Sequence, residues 1–345
     1  MTDHSPGQDI RRLLVARALT APSPLNIQPW MVRFPSPGRI DLFIDPDRIL
    51  PARDPYFRQI LIAHGAFLEN LDIAARDQGF RTDITLFPSG WPGARLDLTD
   101  PVARIDLVED NTVENDPLAA ALSLRCTSRR PYRDSGISPG TLTQLSDAYD
   151  QCFIPMGLLS DPGSRSAIAS FLEQATVIEF AGEERFRELL SFMPVTRHEH
   201  RRDGYGLSHA GLSPPSRFFA RLRMALLAEE RRDAFLKETL IKLARQQAAT
   251  AAAYGWITTT GNLRVEQLNA GRAFERVALT AASLGLSLQP MNQILSDCPG
   301  IEDLRKEFSG FLGIRETRTI QMFFRIGFAA QVPHTSRRPV EAIIR

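Results

Sequence analysis

Two short strings in this 345-residue chain place polar groups where a ligand could use them. The first is Ala21-Pro22-Ser23-Pro24-Leu25-Asn26-Ile27-Gln28-Pro29-Trp30. Its prolines fix their own φ and steer the residues before them away from helix. The string therefore reads as a rigid loop presenting Ser23, Asn26 and Gln28, closed by a Pro-Trp anchor that starts a strand. Hydroxyl and amide groups on a stiff loop suit the rim of a planar heteroaromatic ligand; a capped turn over a buried tryptophan is the plainer reading. The second string is Arg125-Cys126-Thr127-Ser128-Arg129-Arg130-Pro131-Tyr132. Arg125 and Arg129, with the Thr127 hydroxyl between them, could cradle a phosphate or a pyrimidine carbonyl, or simply form a solvated basic turn. A third basic string, Pro333-His334-Thr335-Ser336-Arg337-Arg338-Pro339, is either a further anion contact or a frayed tail.

Other reactive side chains carry weaker signals. His198-Glu199-His200 could be a metal pair, but alternate residues on a helix point apart, and a solvated loop explains them better. Cys126 has flanking arginines that could lower its pKa and no other mark of a nucleophile. No Gly-x-Gly-x-x-Gly, P-loop or Gly-x-Ser-x-Gly motif occurs. Neither a metal site nor a catalytic acid or base is expected.

The whole-chain numbers exclude several classes. At 43% hydrophobic and 23% charged, the chain has ordinary globular composition. Its net charge of +1 lacks the basic excess of a general nucleic-acid binder. Of 41 basic residues only Lys237, Lys242 and Lys306 are lysine, so any anion site is built from guanidinium forks. The three cysteines, Cys126, Cys152 and Cys298, are too sparse for a disulfide framework and suit a reducing compartment. No signal peptide is read, and the longest weakly polar stretch, 248–256, is too short to span a bilayer. The expectation is a cytoplasmic protein with no membrane and no nucleic-acid partner.

The elements that must position the strings follow from periodicity. A helix is expected over 9–19, then an antiparallel meander over 31–34 and 40–45, whose Ile40, Leu42 and Ile44 alternate as in a half-buried strand. A helix over 56–78 precedes strands at 83–87 and 104–108. A second half starts near Asp116, with helices over 117–124 and 138–149 and a helix-rich stretch over 164–245. Glycine-proline segments at 203–208 and 211–215 break that stretch. A long helix over 265–284 and a central strand over 319–328 complete the chain. Helix and strand mix without a βαβ rhythm, which favours α+β.

The two long helices repeat one another. Gly65-Ala66-Phe67-Leu68-Glu69-Asn70-Leu71-Asp72-Ile73-Ala74-Ala75 ends at Gly79, and Gly271-Arg272-Ala273-Phe274-Glu275-Arg276-Val277-Ala278-Leu279-Thr280-Ala281 ends at Gly285. Glu69 matches Glu275, Leu71 matches Val277 and Ile73 matches Leu279. Small residues at both ends would let the helices cross closely, as a homodimer's would.

The first string resembles the APSxxNxQPW signature of the FMN-dependent nitroreductase superfamily. The second resembles that superfamily's RRSxR element, with Cys126 in place of an arginine and Thr127 in place of serine. The resemblance implies that Arg125, Thr127, Arg129 and Arg337 or Arg338 hold FMN on its phosphate side. It implies that Pro22, Ser23, Asn26 and Gln28 serve the ring, and that Pro290, Met291 and Asn292 bring a backbone N–H near the flavin N5. The first half has the loop without a cradle, since Ile10-Arg11-Arg12-Leu13 lacks the hydroxyl; the second half has the cradle and tail without the loop. One complete site can be assembled across the two. With Asp45-Pro46-Asp47-Arg48 and Leu50-Pro51-Ala52-Arg53-Asp54-Pro55 behind the loop, this looks like the Acg branch, single-chain twin nitroreductases. The expected fold is therefore a nitroreductase-like α+β unit duplicated in one chain, halves 1–115 and 116–345, with antiparallel-dominated sheets and long central helices. A monomer acting as an internal pseudo-dimer is expected. The implied activity passes hydride from NAD(P)H through FMN to a nitroaromatic, quinone or similar acceptor. Flavin storage under a lid formed by residues 202–215 is the alternative.

Overall fold

Asp9 starts the first helix, α1 (Ile10–Ala18), by accepting the Arg11 N–H at 3.0 Å. From there the computed structural model describes residues 9–93, 96–150, 154–193, 202–207, 209–330 and 332–345. The first half continues with β1 (Trp30–Arg33), β2 (Arg39–Ile44), α2 (Arg58–Arg76), β3 (Phe80–Leu86) and β4 (Ala103–Glu109). These strands form one antiparallel sheet in the order β1-β2-β4-β3. Ile40, Leu42 and Ile44 face its core. The other face of β2 is covered as well: Asp41 pairs with Arg104 at 2.8 Å, and Phe43 lies under the guanidinium groups of Arg33 and Arg345. β2 is buried along nearly its whole length rather than half-buried.

The second sheet has the order β5-β6-β8-β7, also antiparallel, from β5 (Met156–Leu159), β6 (Ala253–Thr259), β7 (Ser287–Pro290) and β8 (Thr319–Gly327). β8 lies between β6 and β7 and is buried after its first residue, as its apolar run requires. Around this sheet lie α3 (Pro139–Asp150), α8 (Arg264–Ser283) and α9 (Glu302–Phe311). Between the neighbouring strands β5 and β6 the chain inserts four helices, α4 (Pro162–Ala181), α5 (Glu183–Ser191), α6 (Pro214–Leu226) and α7 (Glu229–Ala249). Phe180, Phe186, Leu189 and Leu240 give this insertion a small core of its own. The helix expected over 117–124 is instead a short 3-10 turn, Ala119–Ser123. Asp116 Oδ1 accepts the Leu118 N–H at 2.9 Å to open it, and the chain then leaves for the cradle before an α-helix can develop.

α2 and α8 cross at the centre. A Cβ added to Gly65 would fall on the Leu268 carbonyl, and one added to Gly271 would fall on the Ile62 carbonyl. Gly65 matches Gly271 in the repeat, and Ile62 matches Leu268 at the same offset. The contact is thus reciprocal, as across a two-fold axis. Leu268 accordingly belongs to the first sheet's core and Ile62 to the second's. Both helices stop at left-handed glycines, Gly79 (φ +76°) and Gly285 (φ +71°). The C-terminal tail returns to the first half: Val32 donates to the Ile343 carbonyl and Arg345 to the Val32 carbonyl, both at 2.8 Å, and Ile343 is buried in the first core.

Candidate functional site

The proline-rich loop is held in an unusual shape. Leu25, Asn26 and Gln28 all have positive φ (50°, 57° and 53°); asparagine accepts this readily and the other two at an energetic cost. Ser23 Oγ accepts the Gln28 N–H at 3.0 Å, and Trp30 anchors the end against Phe67. The amides do the fastening. Asn26 Nδ2 donates to the carbonyls of Gly204 (2.9 Å) and Ser336 (3.2 Å), and its Oδ1 accepts from Arg337 (2.8 Å). Gln28 Nε2 donates to the Arg202 carbonyl, and its Oε1 accepts the Arg338 N–H, both at 2.7 Å. Gln28 is fully buried. It ties the loop to the tail and to residue 202, and it borders neither cavity described below.

Arg338 is turned the same way. It pairs with Asp45 at 2.9 Å and donates to the Ala342 carbonyl at 2.7 Å, away from the ligand space. Of the two tail arginines, Arg337 is the one that reaches a cavity. Its guanidinium donates to the Leu19 and Thr20 carbonyls at 2.8 and 3.1 Å, and Arg125 donates to the same Thr20 carbonyl at 2.9 Å. These carbonyls lie just past the end of α1, where helix acceptors lack internal partners. Arg125, Thr127, Arg129 and Arg337 thereby surround one pocket, with Ser23, Asn26 and His334 on its wall. Burial and the neighbouring Arg125 push the Arg337 pKa down to about 9. Burial and the same two arginines also lower His334. An anion here would relieve all of these groups.

Pro22, Ser23, Thr127, Arg129 and Tyr205 are shared with a second, larger cavity of about 250 Å³. Pro290, Met291 and Asn292 border it too. Met291 donates its N–H to the Phe323 carbonyl at 2.8 Å and Pro290 has none. Asn292, whose side chain accepts the Phe323 N–H at 3.0 Å, begins the 3-10 turn Asn292–Leu295, where an N–H lacks a helical acceptor. Along the 202–215 segment, Tyr205 and Ala210 reach the cavity. Tyr205 stacks under the Arg129 guanidinium at 4.1 Å, and Gln247 Nε2 holds the Ala210 carbonyl at 3.0 Å. The remaining roof comes from α4, α5 and α7, through Thr176, Phe180, Leu189, Leu240 and Leu243. The segment therefore covers part of the cavity and leaves open space.

Several residues at this site carried no earlier assignment. Arg53 crosses from the first half to pair with Glu179 of α4 at 2.7 Å, and Glu188 of α5 accepts the Ala52 and Arg53 N–H groups at 3.1 and 2.9 Å. No local spacing signals partners that far apart in the chain. Arg325 had a readable signal, a lone arginine in an apolar strand. It is fully buried, donates to Gln289 Oε1 and the Arg130 carbonyl at 2.8 Å, and lies 3.8 Å from the Tyr132 ring. Through Gln289, which donates to Gln247 at 2.9 Å, it joins the cradle to the roof. Glu275 was matched to Glu69 in the repeat with no role attached. It lies behind Arg125 at 3.2 Å, and burial pushes its carboxyl up to about 7.

Among the described residues no group of three or more His, Cys, Asp or Glu side chains could hold a metal, and His198, Glu199 and His200 lie outside them. Cys152 also lies outside; Cys126 and Cys298 are free thiols. No described helix is long and apolar enough to cross a membrane.

No family model matches the chain. It is 28% identical over 352 residues to Rv3131 of Mycobacterium tuberculosis, named as an NAD(P)H nitroreductase, covering 100% of this chain and 93% of that one. It is 24% identical over 353 residues to acg of the same organism, named likewise, covering 99% and 97%. A crystal structure from Anabaena variabilis, described as a nitroreductase, superposes with a TM-score of 0.50 at 12% identity, over 95% of this chain and 90% of that one.

Proposed function

From a chain that belongs to the nitroreductase superfamily, on its Acg-like side, we infer an oxidoreductase that holds one FMN and passes electrons from NAD(P)H to a nitroaromatic, quinone or similar small acceptor. The observation that carries this reading is the junction of two unlike spaces. A pocket walled by three arginines and hydroxyl groups suits a phosphate, and it shares Ser23, Thr127 and Arg129 with a larger, mainly apolar cavity suited to a flat ring system. Bound FMN would supply the hydride exchange itself.

The chain's own residues do the rest. Arg125, Thr127, Arg129 and Arg337 hold the phosphate end, while Pro22 and Ser23 border the ring. Asn26, Gln28 and Arg338 brace that wall from behind. The Asn292 N–H, rather than that of Met291, is the backbone donor available to a ring edge. Phe180, Leu189, Leu240 and Leu243 exclude water above it. No side-chain acid or base is assigned. Residues 1–115 contribute the loop and 116–345 the cradle, tail and roof, so the chain acts as its own partner.

One observation favours flavin storage as a second reading: Asn26 and Gln28 pin Gly204 and Arg202 by one buried and one part-buried hydrogen bond, which would slow opening. The test is to add FMN, desalt, record the flavin absorbance and thermal midpoint, then mix anaerobically with NADPH. A retained yellow colour, a raised midpoint and bleaching on mixing are expected. Failure to bind FMN overturns the reading. Tight binding without bleaching replaces reductase with storage.

A further inference from the structure

The α2–α8 crossing breaks its own symmetry at one pair of carboxylates. Glu69 is held by Arg272 and Arg276 at 2.7 and 2.8 Å. Its match in the repeat, Glu275, faces Ala66 and Asn70 at the corresponding positions and has neither cation. The Glu275 side chain is wholly buried, and neither carboxyl oxygen has a hydrogen bond of good geometry among the described residues. Arg125 approaches it from the cradle at 3.2 Å with its Nε off the hydrogen-bond line. Asn70 of α2 lies within hydrogen-bonding reach of it and favours its ionised form, while its amide also donates to Thr20 Oγ1 at 3.1 Å and its Oδ1 is buried and unmatched. Arg337 of the tail attracts it and Glu69 repels it. On its own helix, Arg276 is engaged by Glu69 and by Asp116 at 2.9 Å. His334 adjoins the same two arginines.

Arg125 and Arg337 thus lie between a carboxylate behind them and the pocket in front. We propose that Glu275 is an internal counterion standing in for phosphate: it balances Arg125 and Arg337 while no anion is present, and takes one proton from solvent when a phosphate dianion binds. This rests on the reading of the pocket as a phosphate site. The incoming dianion competes for the Arg125 guanidinium and adds negative charge to the field at Glu275, and both effects favour the neutral acid. The proton comes from bulk water, no bond other than O–H forms, and the new hydroxyl supplies a donor to a cluster with surplus acceptors. Burial already pushes the Glu275 carboxyl up to about 7, so a modest added field suffices. The sign follows: binding coupled to proton uptake weakens as pH rises.

The experiment is calorimetric titration of the full chain at pH 8 with FMN, in buffers of different ionisation enthalpy, which counts protons taken up per ligand. At that pH a phosphate monoester is already dianionic, its second pKa being about 6, so it releases no masking proton. Uptake close to one proton per FMN is expected, with none for riboflavin, and FMN affinity should fall up to tenfold per pH unit above pH 7. Glu275→Gln should abolish both the uptake and this slope; His334→Gln should keep them. FMN binding without proton uptake overturns the proposal while leaving the site reading intact, and uptake lost only in His334→Gln assigns the proton elsewhere and overturns it. Absence of FMN binding overturns the site reading itself. The wild-type proton count stands even if a variant fails to fold.

Discussion

Arg129 differs from its two companions in the cationic pocket. Arg125 and Arg337 are oriented by the carbonyls past α1, so their guanidinium groups are partly satisfied before any ligand arrives. Arg129 has the Tyr205 ring at 4.1 Å and leaves its hydrogen-bonding edge to the pocket. Arg129→Ala should therefore weaken FMN binding by about 1.5–3 kcal/mol, the range for a hydrogen bond to a charged group. Equilibrium dialysis or fluorescence titration would measure it, and riboflavin affinity should change much less. The cradle and tail arginines were legible because each lies in a short basic string. What those strings concealed was direction: Arg337 turns to the pocket, while Arg338 next to it turns to Asp45. Gln28 was legible as important and not in its task, since an amide that can reach a ligand can equally tie a loop to a tail 310 positions away.

At the scale of elements, two glycines set the distance between the halves. Their crossing brings backbone against backbone, so Gly65→Ala and Gly271→Ala each force α2 and α8 apart. Overpacking of this kind costs about 1–3 kcal/mol and sometimes more. Because the contact is reciprocal, the two variants should lose similar stability in urea unfolding, whereas Gly93→Ala, with open space around it, should lose little. A large loss at one site alone would contradict the reciprocity. The repeat was readable because a helix crossing constrains residue size at fixed positions. The roof was not, because α4, α5 and α7 are ordinary amphipathic helices whose partners are chosen by tertiary packing. The Arg53–Glu179 pair that fastens them spans 126 positions. Likewise Asp116, shared between a turn and Arg276, limits residues 119–123 to a 3-10 turn that helical propensity alone did not indicate.

At the scale of the whole molecule, a two-fold arrangement raises the question of a second site, and the same symmetry argues for one FMN per chain. The first half's own basic pair near its start is Arg11 and Arg12 in α1, and both are engaged. Arg11 binds Asp9 through two nitrogens at 2.9 and 2.8 Å and the Ser36 carbonyl at 2.7 Å, and Arg12 meets Glu341 at 3.3 Å. The carboxylate matching Glu275 is Glu69, already neutralised by Arg272 and Arg276, so no guanidinium there awaits an anion. The tail that supplies Arg337 packs on β1 of the first half through Ile343 and Arg345. α2 and α8 are buried against each other inside one chain, and on the proposed reading that crossing takes the place of a subunit interface. Sedimentation should therefore give a monomer with one FMN, and binding isotherms should saturate at one equivalent with no second phase. A monomer carrying two flavins would mean that the Arg11–Asp9 pair opens to an anion. A dimer with one flavin per chain would leave the site intact and place a further interface outside the α2–α8 crossing.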